Sequence, residues 1–115
     1  MKIYCERIYD PPQHKGYRVL ADRIWPRGMT KEHAALDEWC KALAPSTALR
    51  QWFKHDPDKW EEFSRCYLDE LKAVREEAQA LRAKAGKKPL ILLSATKDTK
   101  HTHTIILKKY LSTMN

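Results

Sequence analysis

The sequence predicts a small α/β domain in which three to four strands are flanked by helices. Two short apolar runs, 19–21 and 90–93, end at Pro, Gly or polar residues and are typical of strands that are buried on both faces. The second run lies between two segments with helical periodicity, which is the alternation expected of α/β proteins. A chain of 115 residues can bury one core, so we expect a single domain over residues 1–115.

Composition and charge restrict the class of protein. No apolar run approaches the ~18–20 residues that cross a bilayer, and the first residues lack the apolar stretch of a secretory signal. We therefore expect a cytoplasmic protein with no membrane partner. Cys5, Cys40 and Cys66 are odd in number and far apart, which is typical of reduced packing residues. The net charge of +7 is concentrated in residues 82–115, which carry eight Lys or Arg and one acid.

The first half of the chain predicts short elements. Residues 3–8 alternate like a strand and end at a proline turn. Only residues 9–16 separate this strand from the next, which predicts either an antiparallel neighbour or an irregular crossover. Thr30 can cap a short helical turn, and 37–43 is predicted as a strand, with a helix as the alternative. Ser46 then caps a short helix whose apolar face carries Leu49, Trp52 and Phe53.

The second half predicts longer helices. A helix over about 57–85 is predicted from apolar residues at spacings of three and four, with Asp56 as its cap and Gly86 as its stop. It would be ~43 Å long, more than this domain needs, so one end should project, bend or pack against a second subunit. A last helix follows the strand at 90–93, with Asp98 or Thr99 as its cap. His103 falls in its first turn, on the stripe that faces the sheet.

Polar side chains follow both apolar runs. Ligands of α/β sheets bind outside the carboxyl ends of parallel strands, next to helix N-termini. If strands 18–22 and 90–94 are parallel neighbours, their ends bring together Asp22, Arg23, Trp25 and Arg27 from the first and Ser94, Lys97, Asp98 and His103 from the second. We therefore expect a small anionic, phosphate-bearing or nucleotide-like ligand, neutralised by Arg27 and Lys97. His103 and Asp22 are the candidates for acid–base catalysis, and the other six for ligand binding.

Several of these residues also have a purely structural interpretation. Asp22 and Arg23 can pair with loop neighbours, Trp25 can pack in the core, and Ser94 lacks the glycines of a nucleophile elbow. A metal site is not predicted, because on a helix His101 and His103 point about 200° apart. With three glycines the chain can build neither a Walker loop nor a dinucleotide fingerprint, so no cofactor is predicted.

Two other functions are compatible with the sequence. The basic residues from Lys84 to Lys109 could form an electrostatic surface for nucleic acid, although a lysine-rich solvated surface has the same composition. The overlong helix could instead mediate dimerisation, so both monomer and homodimer are open.

Several short motifs resemble those of the YeaO-like family of small bacterial proteins. They cover nearly the whole chain: Tyr9-Asp10-Pro11, Gly16-Tyr17-Arg18-Val19-Leu20, Asp22-Arg23-Ile24-Trp25-Pro26-Arg27-Gly28, Leu36-Asp37-Glu38-Trp39, Ala44-Pro45-Ser46-Thr47-x-Leu49-Arg50 and Leu92-Leu93-Ser94-Ala95-x-Lys97. The resemblance implies a small three-layer, Rossmann-like domain with a mostly parallel sheet. It implies no established activity.

The resemblance also includes a departure. Larger relatives carry a C-x-E…C-H-R pattern after the last strand, whereas the matching positions here are Ser94, Thr96, Thr102, His103 and Thr104. Only the histidine is kept, so chemistry that needs the cysteine, glutamate or arginine of the relatives is not expected in this chain. The site residues that the resemblance carries over best are Asp22, Arg23, Arg27 and His103.

Overall fold

A four-stranded parallel sheet is the centre of the computed structural model, which describes residues 1–114. The strands are β1 (Ile3–Arg7), β2 (Tyr17–Leu20), β3 (Glu38–Trp39) and β4 (Leu90–Ser94), in the order β1-β4-β2-β3. All three strand pairs are parallel, which confirms the α/β fold and excludes the antiparallel alternative for the first connection. Residues 8–16 instead form an irregular crossover without a helix, since nine residues can span up to about 30 Å.

Within residues 1–114, five helices accompany the sheet: α1 (Lys31–Ala34), α2 (Thr47–Phe53), α3 (Trp60–Ala73), α4 (Arg75–Ala85) and α5 (His103–Ser112). The predicted caps Thr30 and Ser46 are confirmed, because their hydroxyl oxygens accept the backbone N–H groups of His33 and Leu49. Asp56 caps a short 3-10 turn (Pro57–Lys59) that leads into α3. The ambiguous segment 37–43 contains both alternatives, since β3 is followed by a 3-10 turn at Lys41–Leu43.

The predicted helix over 57–85 is divided at Val74. This residue has φ −117° and ψ 36°, outside the helical region, and its N–H donates to Leu71 O at 3.1 Å. Of the three expected ways to accommodate the length, the chain bends, so that both Leu71 and Leu81 remain buried in one core. The molecule measures 35 × 33 × 20 Å, so neither end of a 43 Å rod projects from it.

Side chains of the central strands are buried on both faces of the sheet, as their apolar runs predict. Val19 and Leu92 pack with helices α2–α5, whereas Leu20 and Leu93 pack with Ala34 of α1 and the neighbouring loops. Successive residues of a strand point to opposite faces, so a continuous apolar run is required where both faces are covered. The sheet is therefore the middle of three layers.

The predicted cap of the last helix is wrong. Helix α5 begins at His103 with Thr102 as its cap residue, not at Asp98 or Thr99, because the Asp98 carboxylate closes a separate turn by accepting the N–H groups of Lys100 and His101. Trp52, which shares a helical face with Leu49 and Phe53, is 41% exposed, whereas those two residues are buried. Within residues 1–114, no helix combines the length and apolarity needed to cross a membrane.

Candidate functional site

A cavity of about 420 Å³ opens at the carboxyl ends of β2 and β4. Helix α2 and the first turn of α5 form its other walls, together with the loops that precede them. The charged and imidazole side chains that line it are Asp22, Arg50, His55, His101 and His103. One arginine, one carboxylate and three imidazoles therefore meet at this opening, and volumes in this range are typical of small-molecule pockets.

Asp22 and His103 are in direct contact where the two central strands end. The His103 Nε2 atom lies 2.6 Å from Ala21 O and 3.2 Å from Asp22 Oδ1. A carbonyl oxygen can only accept, so Nε2 carries a proton and donates it to Ala21 O, with the carboxylate as a second acceptor. In the neutral ring this leaves Nδ1 without a proton. The predicted juxtaposition of Asp22 with His103 is thus present.

Burial lowers the pKa of His103, because it removes the imidazolium from water. Asp22 and the Ala21 carbonyl oppose this effect, whereas the positive charges of Arg50 and His55 add to it. The net direction is downward, so the ring is neutral near pH 7. A neutral ring with a fixed Nε2 proton donates a hydrogen bond to the segment that follows β2 and carries no positive charge.

Arg50 enters the cavity from α2, whose position is fixed by buried polar contacts. The Glu70 carboxylate accepts from the Ser46 N–H at 2.8 Å and from the Ser46 hydroxyl at 2.6 Å, which ties the start of α2 to α3. The Tyr67 hydroxyl donates to Leu43 O at 2.6 Å just before α2, and the Tyr67 ring lies edge-on to His103, 5.9 Å away. These contacts position α2 so that the Arg50 guanidinium lies near His103, and none of them involves the guanidinium itself.

His55 lies in an unusual backbone turn after α2. Lys54 and His55 have φ values of 48° and 56°, so two consecutive residues with side chains are left-handed. Such residues cost of order 1–3 kcal/mol each and persist where surrounding contacts fix them. Here the turn reverses the chain so that His55 lines the cavity next to Phe53, with ring centroids 6.0 Å apart.

His101 reaches the cavity from the loop before α5. Its Nδ1 lies 2.9 Å from Asp98 Oδ2, and its ring lies edge-on to Trp60. The hydrogen bond from His101 and the N–H donors of the turn lower the pKa of Asp98. This carboxylate therefore orients His101.

Three hydroxyl groups lie in a row between the carboxyl end of β4 and the start of α5. Ser94 Oγ lies 3.3 Å from Thr102 Oγ1, which lies 3.1 Å from Thr104 Oγ1. These positions match the cysteines and the arginine in the pattern of the larger relatives. The fold brings the positions together, but in this chain they supply neutral hydroxyls that satisfy one another.

Three of the eight predicted site residues line the cavity: Asp22, Ser94 and His103. Arg23 and the Trp25 indole, which follow β2, are held elsewhere by backbone carbonyls. Arg23 donates from Nε to Pro45 O at 2.9 Å, and the Trp25 indole N–H donates to Met29 O at 2.6 Å. Arg27 has an exposed side chain outside the lining, although its carbonyl accepts from the Tyr9 hydroxyl. The guanidinium that accompanies His103 is therefore Arg50 and not Arg27.

Lys97 and Asp98 also lie outside the cavity lining, the first exposed and the second bound to its own turn. Sequence reasoning missed Arg50, His55 and His101 as lining residues. Arg50 had a usable signal, since it lies three residues before the buried Phe53 and therefore near the same face of a capped helix. The positions of His55 and His101 depend on turn geometry that the sequence pattern does not predict. Within residues 1–114, no group of three or more His, Cys, Asp or Glu is arranged to hold a metal ion.

These features define a class: a small parallel α/β protein with a pocket at the carboxyl ends of its central strands, lined by one arginine, one carboxylate and three histidines. A family model described as "Inactive DUF488-N3 subclade" matches residues 2–114. The uncharacterized protein YeaO of Escherichia coli (strain K12) is 43% identical over 99% of this chain and 100% of its own length. The uncharacterized protein Rv3073c of Mycobacterium tuberculosis (strain H37Rv) is 35% identical, over 96% of this chain and 94% of its own. The chain thus belongs to the YeaO-like family of small bacterial proteins. No solved structure matches it.

Proposed function

We propose that the protein binds a small anionic metabolite, phosphate-bearing and nucleotide-like, in the cavity at the ends of β2 and β4. The observation that carries this proposal is the grouping of Arg50, His55 and His101 around a single carboxylate, Asp22, that already accepts from His103. A guanidinium beside imidazoles favours anions, and phosphate presents the oxygen geometry that arginine binds best.

Backbone donors support the same ligand chemistry. The hydroxyl of Thr102, the cap residue of α5, does not accept from a backbone N–H of the first turn, because it is engaged with the hydroxyls of Ser94 and Thr104. The N–H groups of that first turn thus lack the usual side-chain cap at the edge of the cavity, where the helix dipole favours negative charge.

An apolar wall supports a planar group on the ligand. Phe53 and Phe63 line the cavity and stack on each other with ring centroids 4.3 Å apart. A ligand with both an anionic group and a flat ring would use the cations and this wall together, which is the reason for preferring a nucleotide-like molecule over inorganic phosphate.

Acid–base catalysis by His103 and Asp22 is the second candidate, and their 3.2 Å contact favours it. In that mechanism Nδ1 of His103 would accept a proton while Asp22 stabilises the imidazolium. Binding without turnover is the better supported of the two, because the polar positions of the larger relatives are hydroxyls here and because the matching family model is described as inactive.

A thermal-shift titration tests the proposal. Inorganic phosphate, nucleoside monophosphates and the corresponding nucleosides are compared at increasing concentration. A monophosphate at 100 times its Kd should stabilise the fold by about 2.7 kcal/mol, and the nucleoside much less. Arg50→Gln should weaken binding about 10- to 100-fold, the loss expected for one charge-assisted hydrogen bond.

Arg27→Gln is the matched control, because Arg27 is an exposed arginine outside the cavity and should leave affinity unchanged. Equal shifts for nucleoside and monophosphate, or equal losses in the two variants, would contradict the proposal. Turnover of the bound monophosphate that His103→Gln abolishes would instead select the catalytic candidate.

A further inference from the structure

A groove separate from the cavity runs between α3 and α5. It has a volume of about 960 Å³ and an apolar floor formed by Trp60, Leu68, Ile105, Ile106 and Tyr110. Five exposed cations line it: Arg65, Lys72, Arg75, Lys100 and Lys109. No acidic residue of the described chain is part of this lining. A large apolar floor bordered by charge of one sign is typical of a recognition surface.

We propose that this groove docks an acidic amphipathic helix of a partner protein. On α3 the lining residues Trp60, Ser64, Leu68 and Lys72 recur every four positions, so they form one ridge about 18 Å long. The lining residues of α5 lie between Ile105 and Thr113 and form the opposing side. A cleft between two helices is the usual receptor for the apolar face of a third.

The charges select an acidic partner. Arg65 pairs with Glu62 at 3.5 Å, and both side chains are exposed. The other four cations have no acidic side chain within 4 Å among residues 1–114. Four unpaired cations around an apolar floor complement a helix with leucine-like residues on one face and carboxylates beside them.

Other anionic occupants fit the groove less well. Single-stranded nucleic acid needs aromatic rings that are free to stack, whereas the Trp60 ring packs against Phe53, Phe63 and His101. A fatty acid carries one carboxylate, whereas cations lie along α3 from Arg65 through Lys72 and into α4 at Arg75. A helix with several carboxylates matches this spread.

Fluorescence polarisation with a synthetic peptide tests the inference. The probe is a labelled 18-residue peptide with Leu on one helical face and Glu on the other, compared with a scrambled peptide of equal composition. The full chain should bind the amphipathic peptide, and less tightly as salt increases. The double variant Lys72→Glu, Lys109→Glu should bind it at least 10-fold more weakly, with circular dichroism confirming that the variant is folded.

The control variant Lys87→Glu, Lys88→Glu changes two exposed lysines outside the groove and should bind like the unmodified chain. Absence of binding, equal binding of the scrambled peptide, or equal losses in both double variants would overturn the inference. So would a homodimer, anionic phospholipid vesicle or oligonucleotide whose association is lost in the Lys72/Lys109 variant while the peptide fails to compete. Arg50→Gln should leave peptide binding intact, so the groove and the cavity are tested independently.

Discussion

At the residue scale, the hydrogen bond from His103 Nε2 to Ala21 O fixes which ring nitrogen carries the proton. Its Nε2 proton is donated to Ala21 O, and Asp22 lies within 3.2 Å of the same nitrogen. The ring therefore links the end of β2 to the start of α5, which brings the two strand-end segments together. Because burial lowers its pKa, the folded state holds this ring neutral where the unfolded chain would protonate it.

Stability should fall as the pH drops below about 6.5. Between the unfolded pKa of His103 and its lower folded value the unfolded state binds more protons, so the free energy of unfolding decreases by up to about 1.4 kcal/mol per pH unit. His103→Gln keeps an N–H donor but does not titrate, so its stability should depend less on pH. Urea denaturation at pH 7.5, 6.5 and 5.5 measures the difference.

His33→Gln is the control for this series, because it removes an exposed imidazole on α1 and should keep the original pH dependence. If the His103→Gln profile has the same slope as that of the unmodified chain, His103 is not the group responsible.

Gly16 is required by a close backbone approach at the start of β2. A Cβ atom there would lie 2.2 Å from Pro89 O, and the next N–H, that of Tyr17, donates to the same carbonyl. Gly16→Ala should therefore displace β2 from β4 and cost roughly 1–3 kcal/mol. At Gly28 an added Cβ would contact no atom within 4 Å, and only the φ of 75° disfavours a side chain. Gly28→Ala should therefore destabilise the protein less than Gly16→Ala. Equal or reversed losses in chemical denaturation would refute the steric argument.

Helix α2 is the element that completes the cavity. Ser46 begins it, Glu70 holds its first turn, and the left-handed pair Lys54 and His55 ends it. Arg50 and His55 reach the cavity because this short helix is fixed at both ends.

Lys54→Gly should stabilise the protein by about 1 kcal/mol, because glycine adopts a φ of 48° without the steric penalty of a side chain. Arg65→Gly, near the middle of α3 and exposed, should destabilise it by a similar amount. Thermal unfolding of both variants measures the pair. Destabilisation by both would mean that Lys54 makes contacts worth more than its backbone conformation costs.

Elements and caps could be predicted from sequence because their causes are local. The apolar runs of β2 and β4 and the hydroxyl caps Thr30 and Ser46 depend on neighbours within a few residues. The break at Val74 could not be predicted from the sequence, because the apolar stripe continues across it. Packing against the sheet decides where the helix bends.

The site was predictable only in part, for the same reason. Asp22, Ser94 and His103 follow from strand ends, which the topology of a parallel sheet brings together. Whether Arg23 points into the cavity is decided by carbonyls about twenty residues away, at Ala44 and Pro45. Arg50 enters from an element whose position depends on Glu70.

At the scale of the whole molecule, the cavity and the groove are separate surfaces with different linings. The net charge is +7. Among the described residues, the cavity lining contains one acid, Asp22, and the groove lining contains none. The apolar layer around α1 packs on one face of the sheet. The cavity lies at the ends of β2 and β4.

Asp22→Asn provides a prediction at this scale. The amide keeps an acceptor for His103 but removes the negative charge of Asp22 from the cavity lining, so monophosphate affinity should rise several-fold as repulsion is relieved. Isothermal titration calorimetry measures it. A large loss of affinity would show instead that the carboxylate binds the ligand or holds the pocket together.

The most direct measurement is an NMR titration with a nucleoside monophosphate that follows the Nε–H signal of each arginine and the backbone amides. The anion-pocket account predicts that Arg50 Nε–H and the amides of His103 and Thr104 shift together along one saturable curve, while Arg27 stays constant. Shifts confined to the exposed lysines from Lys84 to Lys109, with Arg50 unchanged, would contradict it.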